Sequence, residues 1–347
     1  MNFCSDNVAG VAPEIMAALT RANEGTSASY GADPFTARVE QKLAEIFEHP
    51  LKAFPVVTGT SANALALAVM APPFGAIYCH EDAHIMVDKC GAPEMFTGGA
   101  KLVPMPGSAG KIVASDLADL LADGHSGNVH HVQPAVVSLT QATEAGTSYK
   151  VAEIEAIAEV ARRHRLGLHM DGARFANALA HLGAAPKDLT WKAGVNSLSL
   201  GATKNGALAA EIVILFDPAL AETFAFRRKR AGHLVSKMRF VSAQLDAYFT
   251  DGLWLRLAGH ANQMAQNLAN GLKAIPGVRL VHAIEANEVF ARLPLGVVAG
   301  LRQAGFAFYD WPGAEPGTIR LVTSFATDPQ HVAAFVAVAK NLASVAA

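Results

Sequence analysis

Leu166-Gly167-Leu168-His169-Met170-Asp171-Gly172-Ala173-Arg174 is a short, mostly apolar run that ends in a carboxylate and a turn. Its length suits a strand rather than a helix, and Gly172 punctuates it. A second run, Ser197-Leu198-Ser199-Leu200-Gly201-Ala202, follows and opens into Thr203-Lys204-Asn205-Gly206. Working outward, strand-like stretches recur at 54–58, 76–79, 102–105, 136–141 and 212–216. Helical spacing places apolar Val39, Leu43, Ile46 and Phe47 on one face, and Ile154, Ile157, Ala158 and Ala161 on another. The stretches 61–70 and 151–164 read as helices between strands. Apolar strands alternating with helices predict an α/β fold whose largely parallel sheet is covered on both faces.

The pattern changes near residue 245. A long helical stretch at 253–274 ends at Pro276-Gly277, and strand-like segments follow at 278–281, 289–293 and 319–323. Helical segments at 297–304 and from about His331 accompany them. We expect a large domain over 1–244 and a smaller C-terminal α+β domain over 245–347. No internal repeat or low-complexity segment interrupts this plan.

Composition narrows the function. The chain has 347 residues, 51% hydrophobic and 17% charged, with a net charge of −2. A sizeable core is affordable and a nucleic-acid partner is unsupported. The one basic run, Arg227-Arg228-Lys229-Arg230, reads as a solvated helix face. Cys4, Cys79 and Cys90 show neither a disulfide framework nor metal-ligand spacing, so we expect a reducing compartment and no metal. The opening residues lack the basic and apolar regions of a signal peptide. The longest apolar run, 62–79, is broken by Asn63 and Pro72-Pro73 too early to span a bilayer. A cytoplasmic protein without a membrane partner is the expectation.

Three places carry chemistry. Asp171 ends a strand, where α/β sheets place ligands, although an Asp-Gly turn alone needs no function. A carboxylate there suits a partner for the pyridine nitrogen of pyridoxal phosphate. Lys204 follows another strand and is flanked by small residues. That setting fits a hairpin turn with a solvated lysine, or a lysine that sheds its proton to form a Schiff base. Thr58-Gly59-Thr60-Ser61-Ala62-Asn63 joins a strand to an Ala/Leu-rich helix. Its start is either an ordinary cap at Thr60 or Ser61, or a phosphate seat.

The sequence resembles the low-specificity L-threonine aldolases, including phenylserine-aldolase-like members, among the fold type I pyridoxal-phosphate enzymes. The resemblance runs nearly end to end. It is carried by Ser5-Asp6-Asn7, Tyr30-Gly31-Ala32-Asp33-Pro34, Thr58-Gly59-Thr60-Ser61-Ala62-Asn63, Ala83-His84, His169-Met170-Asp171-Gly172-Ala173-Arg174, Thr203-Lys204-Asn205-Gly206 and Ile319-Arg320-Leu321-Val322-Thr323. It implies an aspartate-aminotransferase-like large domain with pyridoxal 5′-phosphate bound to Lys204. By the same resemblance Asp171 pairs with the ring nitrogen, His84 stacks on the ring, and Gly59 and Thr60 hold the phosphate. Arg174 and Arg320 then bind the substrate carboxylate beside Ser5, with Arg174 also near the cofactor. Arg239 resembles a phosphate-binding arginine, and Tyr30 a contact, reaching in from a neighbouring subunit of a homodimer or homotetramer.

The implied reaction is retro-aldol cleavage of L-threonine, L-allo-threonine or a related β-hydroxy-α-amino acid to glycine and an aldehyde. A pyridoxal-phosphate β-eliminating lyase or aminotransferase is the alternative. One departure stands out. Thr143 occupies a loop position where many relatives carry a second active-site histidine, and a hydroxyl is too weak to act alone as a base. The base is then His84, a water held by Thr143 or Glu144, or the cofactor phosphate.

Overall fold

The computed structural model describes residues 1–122 and 126–346. Seven strands form the large sheet: β1 (Lys52–Val56), β2 (Gly75–His80), β3 (Lys101–Met105), β4 (Gln133–Thr140), β5 (Gly167–Gly172), β6 (Ser197–Gly201) and β7 (Glu211–Leu215). Their order is β1-β7-β6-β5-β4-β2-β3. From β6 to β3 all neighbours pair in parallel. β7 alone is reversed, antiparallel to β6 and β1. The cause is the connection: the residues between β6 and β7 hold only a single short turn, and a parallel return needs a crossover helix. Every residue of β2, β6 and β7 is buried, as a sheet covered on both faces requires.

The helix Gly59–Met70 is apolar around much of its circumference and is sunk against β6 and β7. The helix Val151–Arg163 turns Ile154, Ile157, Ala158, Val160 and Ala161 inward and its charged residues out. The basic run behaves differently from the expectation. Arg228, in the helix Ala221–Arg230, is buried over the Phe54 ring and donates to the Pro55 carbonyl at 3.2 Å. Lys229 and Arg230 remain exposed, so only part of the run is a solvated face.

A second, antiparallel sheet follows with order β10-β11-β9-β8: β8 (Arg279–Leu280), β9 (Glu288–Arg292), β10 (Tyr309–Asp310) and β11 (Thr318–Val322). The helices Leu253–Lys273, Leu295–Gln303 and Pro329–Ala346 pack with it. Its core includes Phe3, whose ring meets Phe335 edge-on at 5.4 Å. Phe3 N donates to the Ala307 carbonyl and Val322 N donates to the Phe3 carbonyl. The first residues are therefore built into the second sheet rather than the first. Among the described residues no helix is long and apolar enough to cross a membrane.

Candidate active site

A cavity of about 390 Å³ opens where the carboxyl ends of the parallel strands meet the start of the helix Gly59–Met70. Seven of the expected residues line it: Lys204, Asp171, His84, Arg174, Gly59, Thr60 and Thr143. Ser5, Tyr30, Arg239 and Arg320 do not.

Asp171 sits at the end of β5 and is buried. Asn63 Nδ2 donates to its Oδ2 at 2.6 Å, and Ala173 N donates to Oδ1 at 3.0 Å. Burial works to raise this carboxyl, but Lys89, His84, His169 and Lys204 outweigh it and hold the group below the usual carboxylate range. Two residues back, His169 is clamped by the hydroxyls of Ser138 at 2.9 Å and Ser199 at 3.1 Å. Burial pushes its imidazole down to about 4, so it is a neutral prop at neutral pH.

Lys204 lies in the 3₁₀ turn Thr203–Asn205. The turn is fixed by its neighbours: Asn205 Nδ2 donates to Tyr248 Oη and the Trp254 carbonyl, both at 2.8 Å. Gly206 closes it with φ +110°, where a side chain would also press on Ala12 and Leu257. Lys204 Nζ makes no hydrogen bond or ion pair with the described residues. Burial, then Arg174, depresses its pKa, against the opposing pull of Asp6, Asp171 and Glu288. The solvated hairpin lysine is thus replaced by an unpartnered amine facing a cavity.

At the helix start, the cap is Thr58 rather than Thr60 or Ser61, because its hydroxyl accepts from Ser61 N at 3.2 Å. Gly59 and Thr60 then fall in the first turn, whose backbone N–H groups have no partner within the helix. Open space surrounds Gly59 where a side chain would stand. A carboxylate, an uncommitted lysine and a helix N-terminus therefore converge, which is the donor set pyridoxal phosphate requires. The residues fit the group.

Opposite partners were harder to foresee. His84 N donates to Glu144 Oε1 at 2.9 Å, and His84 Nδ1 lies 3.2 Å from the same oxygen. Thr143 has its hydroxyl committed within its own loop, donating to the Ala109 carbonyl at 3.1 Å and meeting Thr147 Oγ1 at 2.8 Å. Arg174 is buried and gripped along one edge by Asp6, at 2.8 and 3.2 Å, with Glu288 3.3 Å from Nη1. Burial would raise the Asp6 carboxyl, yet Arg174 and Lys204 keep it low. Arg320 reaches the other side of Glu288 at 3.8 Å, while its buried Nε has no partner. Tyr30 and Arg239 lie away from this chain's cavity; Arg239 Nη1 donates to the Gly25 carbonyl at 3.2 Å.

Asn63, Glu211 and Glu288 were not singled out by the sequence. Asn63 stood inside the quoted Thr-Gly-Thr-Ser-Ala-Asn stretch, one helical turn beyond Gly59, and that spacing was an available signal. Glu211 opens β7 and accepts from Ala202 N at 2.9 Å; burial pushes its carboxyl up to about 7 despite hydrogen bonds from Thr203 and Ala202.

The model of the beta-eliminating lyase family matches residues 2–294. The low specificity L-threonine aldolase of Pseudomonas aeruginosa is 42% identical over 330 residues, covering 95% of this chain and 94% of its own. The chain belongs to the beta-eliminating lyase family. Within that family its likeness is to the threonine aldolases. The low specificity L-threonine aldolase of Saccharomyces cerevisiae is 25% identical over 83% of this chain and 73% of its own. A solved threonine aldolase from Leishmania major superposes with a TM-score of 0.92 at 30% identity, over 99% of both chains. The tryptophan decarboxylase of Catharanthus roseus shares the fold alone, with a TM-score of 0.79 at 16% identity. The fold is that of the fold type I pyridoxal-phosphate enzymes, with a large mainly parallel sheet and a smaller antiparallel one.

Proposed function

We propose that this chain is a pyridoxal-phosphate-dependent carbon–carbon lyase. It cleaves L-threonine, L-allo-threonine or a related β-hydroxy-α-amino acid, such as phenylserine, to glycine and an aldehyde. The observation that carries the reading is the unpartnered Lys204 amine sharing one cavity with buried Asp171. When bound, the cofactor draws an electron pair away from the substrate Cα.

The chain's own groups divide the remaining work. Lys204 offers an amine whose depressed pKa favours the neutral, nucleophilic form. Asp171, kept anionic, holds a proton on the ring nitrogen, and Asn63 fixes the direction of that carboxylate. Gly59, Thr60 and the helix N-terminus take the phosphate. His84 covers one face of the ring. Arg320 takes the substrate carboxylate, a role supported by its buried, unpartnered Nε. Arg174 borders the cavity with its guanidinium fixed by Asp6 and Glu288, Thr143 lines it too, and Ser5 precedes the Asp6 that grips Arg174. Arg239 and Tyr30 complete a neighbour's site in a homodimer or homotetramer, a reading supported by their distance from this chain's own cavity. The setting is the cytoplasm, a reading supported by three free cysteines.

The test is incubation of the cofactor-loaded protein with L-threonine. Glycine and acetaldehyde in equal amounts are expected. The family model also leaves room for β-elimination. A keto acid with ammonia would select that reaction, and neither product set would end the proposal.

Arg320→Lys keeps the charge but loses the planar fork. Losing a charge-assisted hydrogen bond of about 1.5–3 kcal/mol lowers kcat/KM for threonine by roughly 10- to 100-fold. Steady-state kinetics on threonine check this, and unchanged values would remove Arg320 from carboxylate recognition.

A further inference from the structure

The retro-aldol step needs a group that takes the proton of the β-hydroxyl, and the cavity offers few. Among the described residues His84 is the one histidine in its lining, and four carboxylates share that lining: Asp88, Glu144, Asp171 and Glu211. Asp171 has an oxygen bonded to Asn63 and the other to Ala173 N. Glu211 is tied to Ala202 N beside the lysine turn. Asp88 is largely exposed, where solvent screens its charge. The Thr143 hydroxyl is already bonded within its own loop.

Glu144 differs from all of these. It is 5% exposed and follows the carboxyl end of β4. Its Oε1 is occupied by His84, through the backbone N at 2.9 Å and Nδ1 at 3.2 Å. Its Oε2 is buried with no hydrogen-bond partner among the described residues. A carboxylate oxygen removed from water and left unpaired is costly, so such an atom marks a place where a ligand supplies the donor.

Building on the aldolase reading, we infer that Glu144 is the base of the cleavage, with Oε2 accepting the β-hydroxyl proton while Oε1 holds His84 in place. The O–H pair becomes the second bond of the aldehyde carbonyl. The Cα–Cβ bond breaks and leaves its electron pair on Cα, which then takes a proton to give glycine. Threonine thus yields glycine and acetaldehyde with no net gain or loss of protons. His84 is in this scheme a positioning partner of Glu144 and a cover for the ring, and a second histidine is unnecessary.

Glu144→Gln tests it, because the amide keeps an oxygen for the His84 N–H but cannot take a proton. The holoenzyme is assayed in two ways: aldehyde release from threonine, and exchange of the glycine α-proton in D₂O, which needs no β-hydroxyl. Cleavage is expected to fall roughly a hundredfold or more, as loss of a general base does, with α-proton exchange within about threefold of wild type. Parallel loss of both activities, or cleavage within about threefold of wild type, would overturn the inference. Should Glu144→Gln fail to bind cofactor, Glu144→Asp decides: it retains a carboxylate and must cleave measurably faster than Glu144→Ala. A wild type that releases no aldehyde from threonine would sink the aldolase reading itself, a distinct outcome.

Discussion

Lys204→Ala is expected to abolish the visible absorbance of bound cofactor and to cut glycine release from threonine at least about a thousandfold, roughly 4 kcal/mol by the rate relation. The size follows from the turn. Asn205, Gly206 and Thr203 lock the backbone so that this amine faces the cavity. The other lysine in the lining, Lys89, lies in the segment after β2, far from β6 in sequence. Borohydride reduction of the loaded wild type followed by peptide mapping should therefore label Lys204, and a label at Lys89 would overturn the assignment. The fold should survive the change, since Lys204 Nζ bonds nothing among the described residues and its removal leaves no partner there stranded.

Asp171→Asn should lower cleavage by on the order of a hundredfold or more, about 2.7 kcal/mol, with the cofactor still bound. The loss is of charge, not of shape. Asn keeps an oxygen for Ala173 N, and Asn63 can meet the new amide by turning its own unpartnered Oδ1 toward it. A second consequence has a definite sign. The Asp171 carboxylate is among the groups that raise the Lys204 pKa, so its removal drives that already depressed pKa lower still. A pH titration of the bound cofactor's spectrum would report both changes. Activity within about threefold of wild type would remove Asp171 from the ring-nitrogen role.

Much of this was legible from residue order. The runs ending at Asp171 and Ala202 read as strands because they were short, apolar and bounded by turns, and the structure has them as β5 and β6, the latter ending at Gly201. The direction of β7 was not read, although the short stretch between β6 and β7 held the reason. In the second sheet the stretch 278–281 was read as a strand and holds β8, whereas β10 has only two residues, too few for any periodicity to register. The site divided in the same way. Lys204, Asp171, Gly59 and Thr60 announced themselves at the ends of strands and the start of a helix. Glu288 and Asp6 did not, and Glu144 was named only as a possible holder of a water, because what distinguishes each is a partner remote in sequence: Arg174 for the first two, His84 for the third. Arg228 shows the same limit, since nothing in a run of four basic residues says which one will lie over Phe54.

The reversed strand also governs the order in which the site can come into being. β7 is the seam between β1 and β6: its first residue, Glu211, pairs with Val56 on one side and Gly201 on the other. The helix start at Gly59 follows Val56 and the lysine turn follows Gly201, so β7 joins the two strands that lead into them, while the helix Gly59–Met70 itself packs on β6 as well as β7. Such long-range closure is slow relative to local helix formation, because the loop entropy is lost before any pairing repays it. A nascent chain that has emerged only as far as Lys204 therefore carries Gly59, Thr60, Asp171 and Lys204 but lacks the strand that joins β1 to β6. A ligand that binds the completed cavity stabilises the finished sheet by mass action.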